Sequence, residues 1–133
     1  MVELIINLWV FVGMMLIMSV ACINMVNLKG DGRNSGAGYR TKRSNRSKEA
    51  WNLGNKTYGY CSLTIPLLEG ILIFIEYKLL IPMGFIQKEV IIIPNLIVMI
   101  IAIVICCFIT ENKLKKLFEW KYKNYLNEKI KII

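Results

Sequence analysis

The amino-acid sequence predicts an all-α integral membrane protein. One membrane domain (residues 1–133) forms a bundle of three transmembrane helices, with a cytoplasmic loop that carries an interfacial helix and a basic amphipathic C-terminal tail. Hydrophobic residues make up 56% of the 133 residues, mean hydropathy is +0.50, and the apolar residues gather in long blocks rather than in stripes. A soluble chain this small has too little polar surface to cover such blocks. The formal charge of +8, from 17 Lys+Arg against 9 Asp+Glu, is concentrated between and after them. Apolar blocks separated by basic segments are the pattern of a small membrane protein.

The first block, residues 4–28, holds no charge, and its polar interruptions are Asn7, Ser19, Asn24 and Asn27. At about 1.5 Å per residue it is long enough to cross a hydrocarbon core of roughly 30 Å. A secretory signal peptide is the rival reading, but only Glu3 stands where such a peptide carries its basic region. Ser19-Val20-Ala21-Cys22 is a poor lipoprotein cleavage site, because Ser19 occupies a position that calls for an apolar residue. A spanning helix is the better reading.

The second block, residues 58–81, opens with Tyr58-Gly59-Tyr60-Cys61, contains Pro66 and Glu69, and closes around Glu76, Tyr77 and Lys78. The third, residues 90–110, is uncharged and rich in Ile, with Pro94 and Asn95 in its first turns. Both prolines are expected near a helix start, where a missing N–H costs little.

Charge fixes the orientation. Residues 29–56 hold eight basic residues and two acids, and residues 111–133 hold seven lysines and three acids. The link between the second and third blocks carries only Lys88 and Glu89. Three spans put the basic loop and the basic tail on one side, and the positive-inside rule makes that side cytoplasmic, with the N-terminus outside. In the tail, Leu114, Leu117, Phe118, Tyr122, Tyr125 and Leu126 recur at helical spacing, with lysines on the other face. Such a helix is expected to lie on anionic headgroups, as is the basic loop; a solvated extension of the third helix is the alternative.

Several chemistries are excluded. With 0 His there is no Ser–His or Cys–His pair and no imidazole ligand. The 4 Cys (Cys22, Cys61, Cys106 and Cys107) form no C-x-x-C and lie in or beside apolar blocks, where a thiol acts as a small hydrophobe. No catalysis, metal or cofactor is expected. Direct nucleic-acid binding is a weak explanation of the basic loop, since topology already accounts for its charge.

The loop, residues 29–57, is turn-rich in its first half, with glycines at 30, 32, 36 and 38. From Ser47, a good N-cap, the pattern becomes helical, and Trp51 and Tyr58 fall on one face where they are expected at headgroup depth. Arg40 offers a planar fork suited to a carboxylate, a phosphate or carbonyls. Gly38 permits positive φ or close approach, and Thr41 and Ser44 can cap a turn. A hairpin tied together by Arg40, Asn34 and Asn55 is one coherent arrangement. A fold-holding role and a ligand site use the same donors, and both stay open.

The ordered set Asn34-x-x-x-Gly38-Tyr39-Arg40-Thr41-x-x-Ser44, then Glu49-x-Trp51 and Asn55, resembles the signature loop of the SdpI family. The resemblance is close over residues 34–59; the flanking blocks match in hydrophobicity and placement. It implies a bacterial cell-membrane protein of immunity type, which protects against a secreted antimicrobial peptide, and it implies a cytoplasmic transcriptional repressor as a second partner. This chain looks like a short three-helix form, without the extra membrane domain of the founding member.

Glu69 stands about 16 Å into the second block, near its middle. It should be protonated, paired or turned to the bundle interior. A hydrogen bond to Asn7, Asn24 or Asn95 is expected. The functional alternative is a small proton-linked carrier or accessory subunit that uses Glu69.

Orientation can be checked with single cysteines in a Cys-free background. Ser35→Cys and Asn127→Cys are expected to resist an impermeant thiol reagent in intact cells, and Gln87→Cys to react. Labelling of Ser35→Cys from outside would invert the topology.

Overall fold

Buried positions recur at helical spacing along each long element, and this spacing decides which faces meet. In the computed structural model, residues 2–26, 32–34, 37–84 and 92–131 are described, with side chains between residues 9 and 125 and at residue 127. The elements are α1 (Val2–Asn24), α2 (Lys48–Ser62), α3 (Thr64–Ile75) and α4 (Ile92–Lys131). Short 3-10 turns stand at Gly32–Asn34 and Ser44–Arg46, and a π-helical turn, Glu76–Leu80, continues α3. No strand occurs among the described residues. Asn7, Leu28, Gly30, Ser35, Gly36, Gln87, Lys88, Glu89 and Leu126 lie outside the described backbone or side chains.

The inward face of α3 is Ile65, Pro66, Glu69, Ile73 and Glu76; that of α4 is Asn95, Cys106, Thr110 and Leu114. From Pro66 to Glu76 and from Cys106 to Leu114 the step is three to four residues, and Asn95 stands three helical turns before Cys106 on the same face. α2 packs on α1 and α4, and α3 likewise contacts both. The α1–α2 contact is made by small residues. Ser62 donates its hydroxyl to Ser19 Oγ at 2.8 Å, and Ser19 in turn donates to the Met15 carbonyl at 2.8 Å. A Cβ on Gly59 would stand 2.6 Å from Ile23 Cγ1 and 3.0 Å from the Ser19 carbonyl oxygen. Where lipid surrounds the helices, close packing and hydrogen bonds of this kind hold them together.

The structure corrects the second expected span. It is not one helix over residues 58–81, because α2 begins at Lys48 and runs through Tyr58, and a one-residue break at Leu63 separates it from α3. Pro66 is the cause: it has no N–H for the Ser62 carbonyl, and its ring crowds that carbonyl. Leu63 keeps helical angles (φ −61, ψ −24) and donates to the Gly59 carbonyl at 3.1 Å. Pro66 and Pro94 both stand in the first turn of their helices, as expected. Ser47 is the N-cap of α2 and accepts from the Ala50 N–H at 3.1 Å.

The tail is part of α4, a single helix of 40 residues, about 60 Å long. Leu114 is fully buried, packed in a cluster with Tyr39 and Ala50, and Leu117 and Phe118 pack against the same cluster. The first turns of the tail's apolar stripe are therefore covered by the loop and α2. Tyr122 and Tyr125 remain exposed.

Ile17, Leu67, Phe74, Val104 and Phe108 are each at least 60% exposed, part of an apolar mantle over α1, α3 and α4. A surface of this extent marks contact with a membrane or a partner. Among the described residues, α4 is the one helix long and apolar enough to cross a membrane; the apolar stretch of α1, Trp9–Asn24, is shorter. The expectation of three spans thus finds one helix that meets it alone.

Gly59→Val is expected to push α1 from α2 and to lower stability by about 1–3 kcal/mol. Thermal unfolding in detergent checks this, with Gly13→Val, whose Cβ meets nothing within 4 Å, expected to change little.

Candidate functional site

Gly38 turns the chain with φ +98, a conformation that L side chains rarely adopt. The next residue, Tyr39, then directs its backbone N–H at Asn55 Oδ1, 2.7 Å away. The other end of the same carboxamide, Nδ2, donates to the Trp51 carbonyl at 3.0 Å. Asn55 is wholly buried, so both ends of its amide are used and the loop is pinned to α2. A Cβ on Gly38 would fall 2.4 Å from Asn55 Oδ1 and 3.2 Å from Trp51 Cζ2. Glycine, asparagine and tryptophan in the motif are therefore parts of one contact.

The turn that follows closes on itself. Thr41 N–H donates to Ser44 Oγ at 2.8 Å and Ser44 N–H to Thr41 Oγ1 at 3.2 Å. The buried Ser44 hydroxyl donates to the Tyr39 carbonyl at 2.9 Å. Gly54 lets this turn lie against α2, since a Cβ there would be 3.2 Å from that of Ser44.

Tyr39 carries the hairpin across to α4. Its buried ring stacks on Tyr58 with centroids 4.8 Å apart, and its hydroxyl donates to Glu111 Oε1 at 3.2 Å. Arg43 donates to the other oxygen, Oε2, at 2.7 Å. Glu111 is the first charged residue after the apolar stretch of α4. Burial disfavours its charge, but hydrogen bonds from Thr41, Arg43 and Tyr39 outweigh that and hold the carboxyl below its ordinary range. Burial, and then the charge of Glu111, push the Tyr39 phenol well above its usual value, so it stays a donor. An Arg46 guanidinium 5.3 Å above the Phe118 ring and a Lys121–Glu49 ion pair add further α4 contacts.

Three expectations need correction. Arg40 and Asn34 do not tie the hairpin: both are exposed, and Arg40 has no ion pair or hydrogen bond among the described residues. The knot is made from Tyr39 and Ser44, which are buried against α2, and from Asn55 on α2 itself. Trp51 is not placed as an outward headgroup anchor. It is 1% exposed, with its indole nitrogen 2.8 Å from where a Gly32 Cβ would stand, and that N–H has no acceptor among the described residues. Glu69 is buried as expected but is not bonded to Asn24, which is exposed, or to Asn95. The Asn95 amide donates instead to Glu76 Oε2 at 2.7 Å. Glu76, Arg43 and Glu111 were not singled out from the sequence. The seven-residue step from Glu69 to Glu76, on one helix face, was the available signal.

Asn55→Ala strands the buried Tyr39 N–H and is expected to cost about 1–3 kcal/mol. Gly38→Ala is expected to cost at least as much, and the double variant less than the sum, because both break one contact. Thermal unfolding of the four proteins in detergent measures the coupling. Arg40→Ala should fall within about 0.5 kcal/mol of wild type, as for an exposed side chain.

Residues 32–110, more than half of the chain, match the family model described as the SdpI/YfhL protein family. No curated protein and no solved structure matches the chain. That span takes in the Gly38 turn, the Asn55 joint and the apolar stretch of α4 up to the residue before Glu111, and on this match the chain belongs to the SdpI/YfhL protein family.

Proposed function

We propose that the chain is a multi-pass protection protein of the bacterial cell membrane that binds a secreted antimicrobial peptide. It is not an enzyme in this reading and uses no cofactor. It crosses three times, through α1, the α2–α3 pair and α4, with the N-terminus outside and the hairpin and C-terminus in the cytoplasm. Family membership supports the immunity-type role, and the apolar mantle supports lipid contact. A cytoplasmic transcriptional repressor is a second partner, met by the hairpin. The chain itself takes no direct part in binding nucleic acid.

The observation that carries the reading is the contrast inside the motif. Tyr39, Ser44, Trp51 and Asn55 are spent on the frame, while Arg40 is left exposed upon it. A guanidinium held on a fixed turn suits a carboxylate or a row of carbonyls on a partner. Peptide arriving from outside meets the other face first, so capture must favour one state of the hairpin, and only differential binding can shift that state.

A second reading rests on Glu69, a carboxyl group only 4% exposed with one oxygen lacking a partner among the described residues. In that reading the chain is a small proton-linked carrier or accessory subunit.

Expression in a sensitive bacterium, followed by challenge with candidate secreted peptides, separates the two. Wild type is expected to protect, Arg40→Ala to lose protection at unchanged membrane abundance, and Glu69→Gln to retain it. The reverse pattern supports the carrier.

A further inference from the structure

Lys56 and Lys113 line a groove of about 490 Å³ between α2 and α4, within the range of small-molecule sites. Leu53, Cys61 and Ile109 supply its apolar wall. On the opposite side of Lys56 and Tyr60 a second, smaller groove of about 140 Å³ runs along α1, lined by Ile23 and Val26. One lysine and one exposed tyrosine therefore form a ridge, with the apolar wall of the larger groove on one flank and Ile23 and Val26 on the other.

The charge on this ridge is unanswered. Arg43 pairs with Glu111, Lys115 with Glu119 and Lys121 with Glu49, yet Lys56 and Lys113 have no acidic partner among the described residues. Both are exposed, and both stand where the apolar parts of their helices give way to polar sequence. Basic pockets between helices at that level suit phosphate headgroups. A groove on each flank of a cationic ridge suits the glycerol end of a diacyl lipid, with one chain starting on either side of the phosphate.

We propose that this double groove binds one anionic phospholipid, its phosphate held by Lys56 and Lys113 and the upper methylenes of its two acyl chains entering the grooves on either flank. The ammonium groups act as point charges on flexible stems, which follow a mobile headgroup better than a fixed fork does. The Tyr60 ring, 55% exposed, sits at the headgroup boundary where amphipathic rings are favoured. Bound there, the lipid braces α1, α2 and α4 just below the hairpin.

Native mass spectrometry of the full chain in nonionic detergent tests this. Wild type is expected to retain one phosphatidylglycerol at concentrations at least tenfold below those needed for phosphatidylcholine. Lys56→Gln with Lys113→Gln should remove that preference, and Lys56→Arg with Lys113→Arg should keep it, as should Lys115→Gln. Both lysines are exposed, and unchanged thermal unfolding of the lipid-free variants shows that the fold survives. Equal retention of the two lipids by wild type, or undiminished retention of phosphatidylglycerol by the double glutamine variant, overturns the proposal. Displacement of phosphatidylglycerol by an equal concentration of inorganic phosphate also overturns it, since the site would then read phosphate without the acyl chains.

Discussion

The hydrogen bond from the Tyr39 N–H to the buried Asn55 carboxamide is the joint on which the hairpin half of the protein depends. A backbone donor in a loop has found a side-chain acceptor on a helix, and the other end of that side chain is held by the helix itself. Without this, a buried loop would carry polar backbone groups with nowhere to go. The joint also sets the neighbours. Gly38 must lack a Cβ to let the amide approach, Trp51 closes the far side, and the Tyr39 ring is aimed across α2 to Glu111 on α4. One amide thus fixes the distance between loop, second helix and fourth helix.

The apolar half follows a different rule. Lipid-like surroundings give helices no hydrophobic reason to associate, so small residues and internal hydrogen bonds decide the contacts. Ser19 with Ser62, Gly59 against Ile23, and Asn95 with Glu76 are of this kind. Thr110, wholly buried, returns its hydroxyl to the Cys106 carbonyl at 2.8 Å and so satisfies itself within α4. Glu69 stands apart, a buried carboxyl with one oxygen unanswered among the described residues. A group of that sort is costly in apolar surroundings.

These two halves meet at the level of Tyr58 and Leu53, where the hairpin rests on the helices. In the proposed protection role, the frame and the exposed Arg40 divide the work: buried motif residues hold a state, and the exposed one is available to read a partner. An anionic lipid on the Lys56–Lys113 groove would hold the same helices from the side. Both ideas place the chemistry at the membrane surface rather than in a cavity.

Local information in the chain determined a good deal. The helical character of every block, the Ser47 cap, the first-turn positions of Pro66 and Pro94, and the motif by which the family is recognised are all written in residues near one another. Even the break near Ser62 follows from Pro66, a local cause, although block hydropathy hides it. Tertiary structure alone decided which motif residues turn inward. Tyr39 and Glu111 lie 72 positions apart, and Asn95 and Glu76 lie 19 apart on different helices; no periodicity specifies such pairs. Arg40 looked like a tie and Tyr39 like a neighbour because spacing reports which face of an element a residue occupies, whereas the partner across that face is chosen by the packing of distant segments. For the same reason the tail's apolar stripe could be read from spacing, but its burial under the hairpin could not. Covering that stripe required a loop held in place by Asn55, and only the folded chain brings the two together.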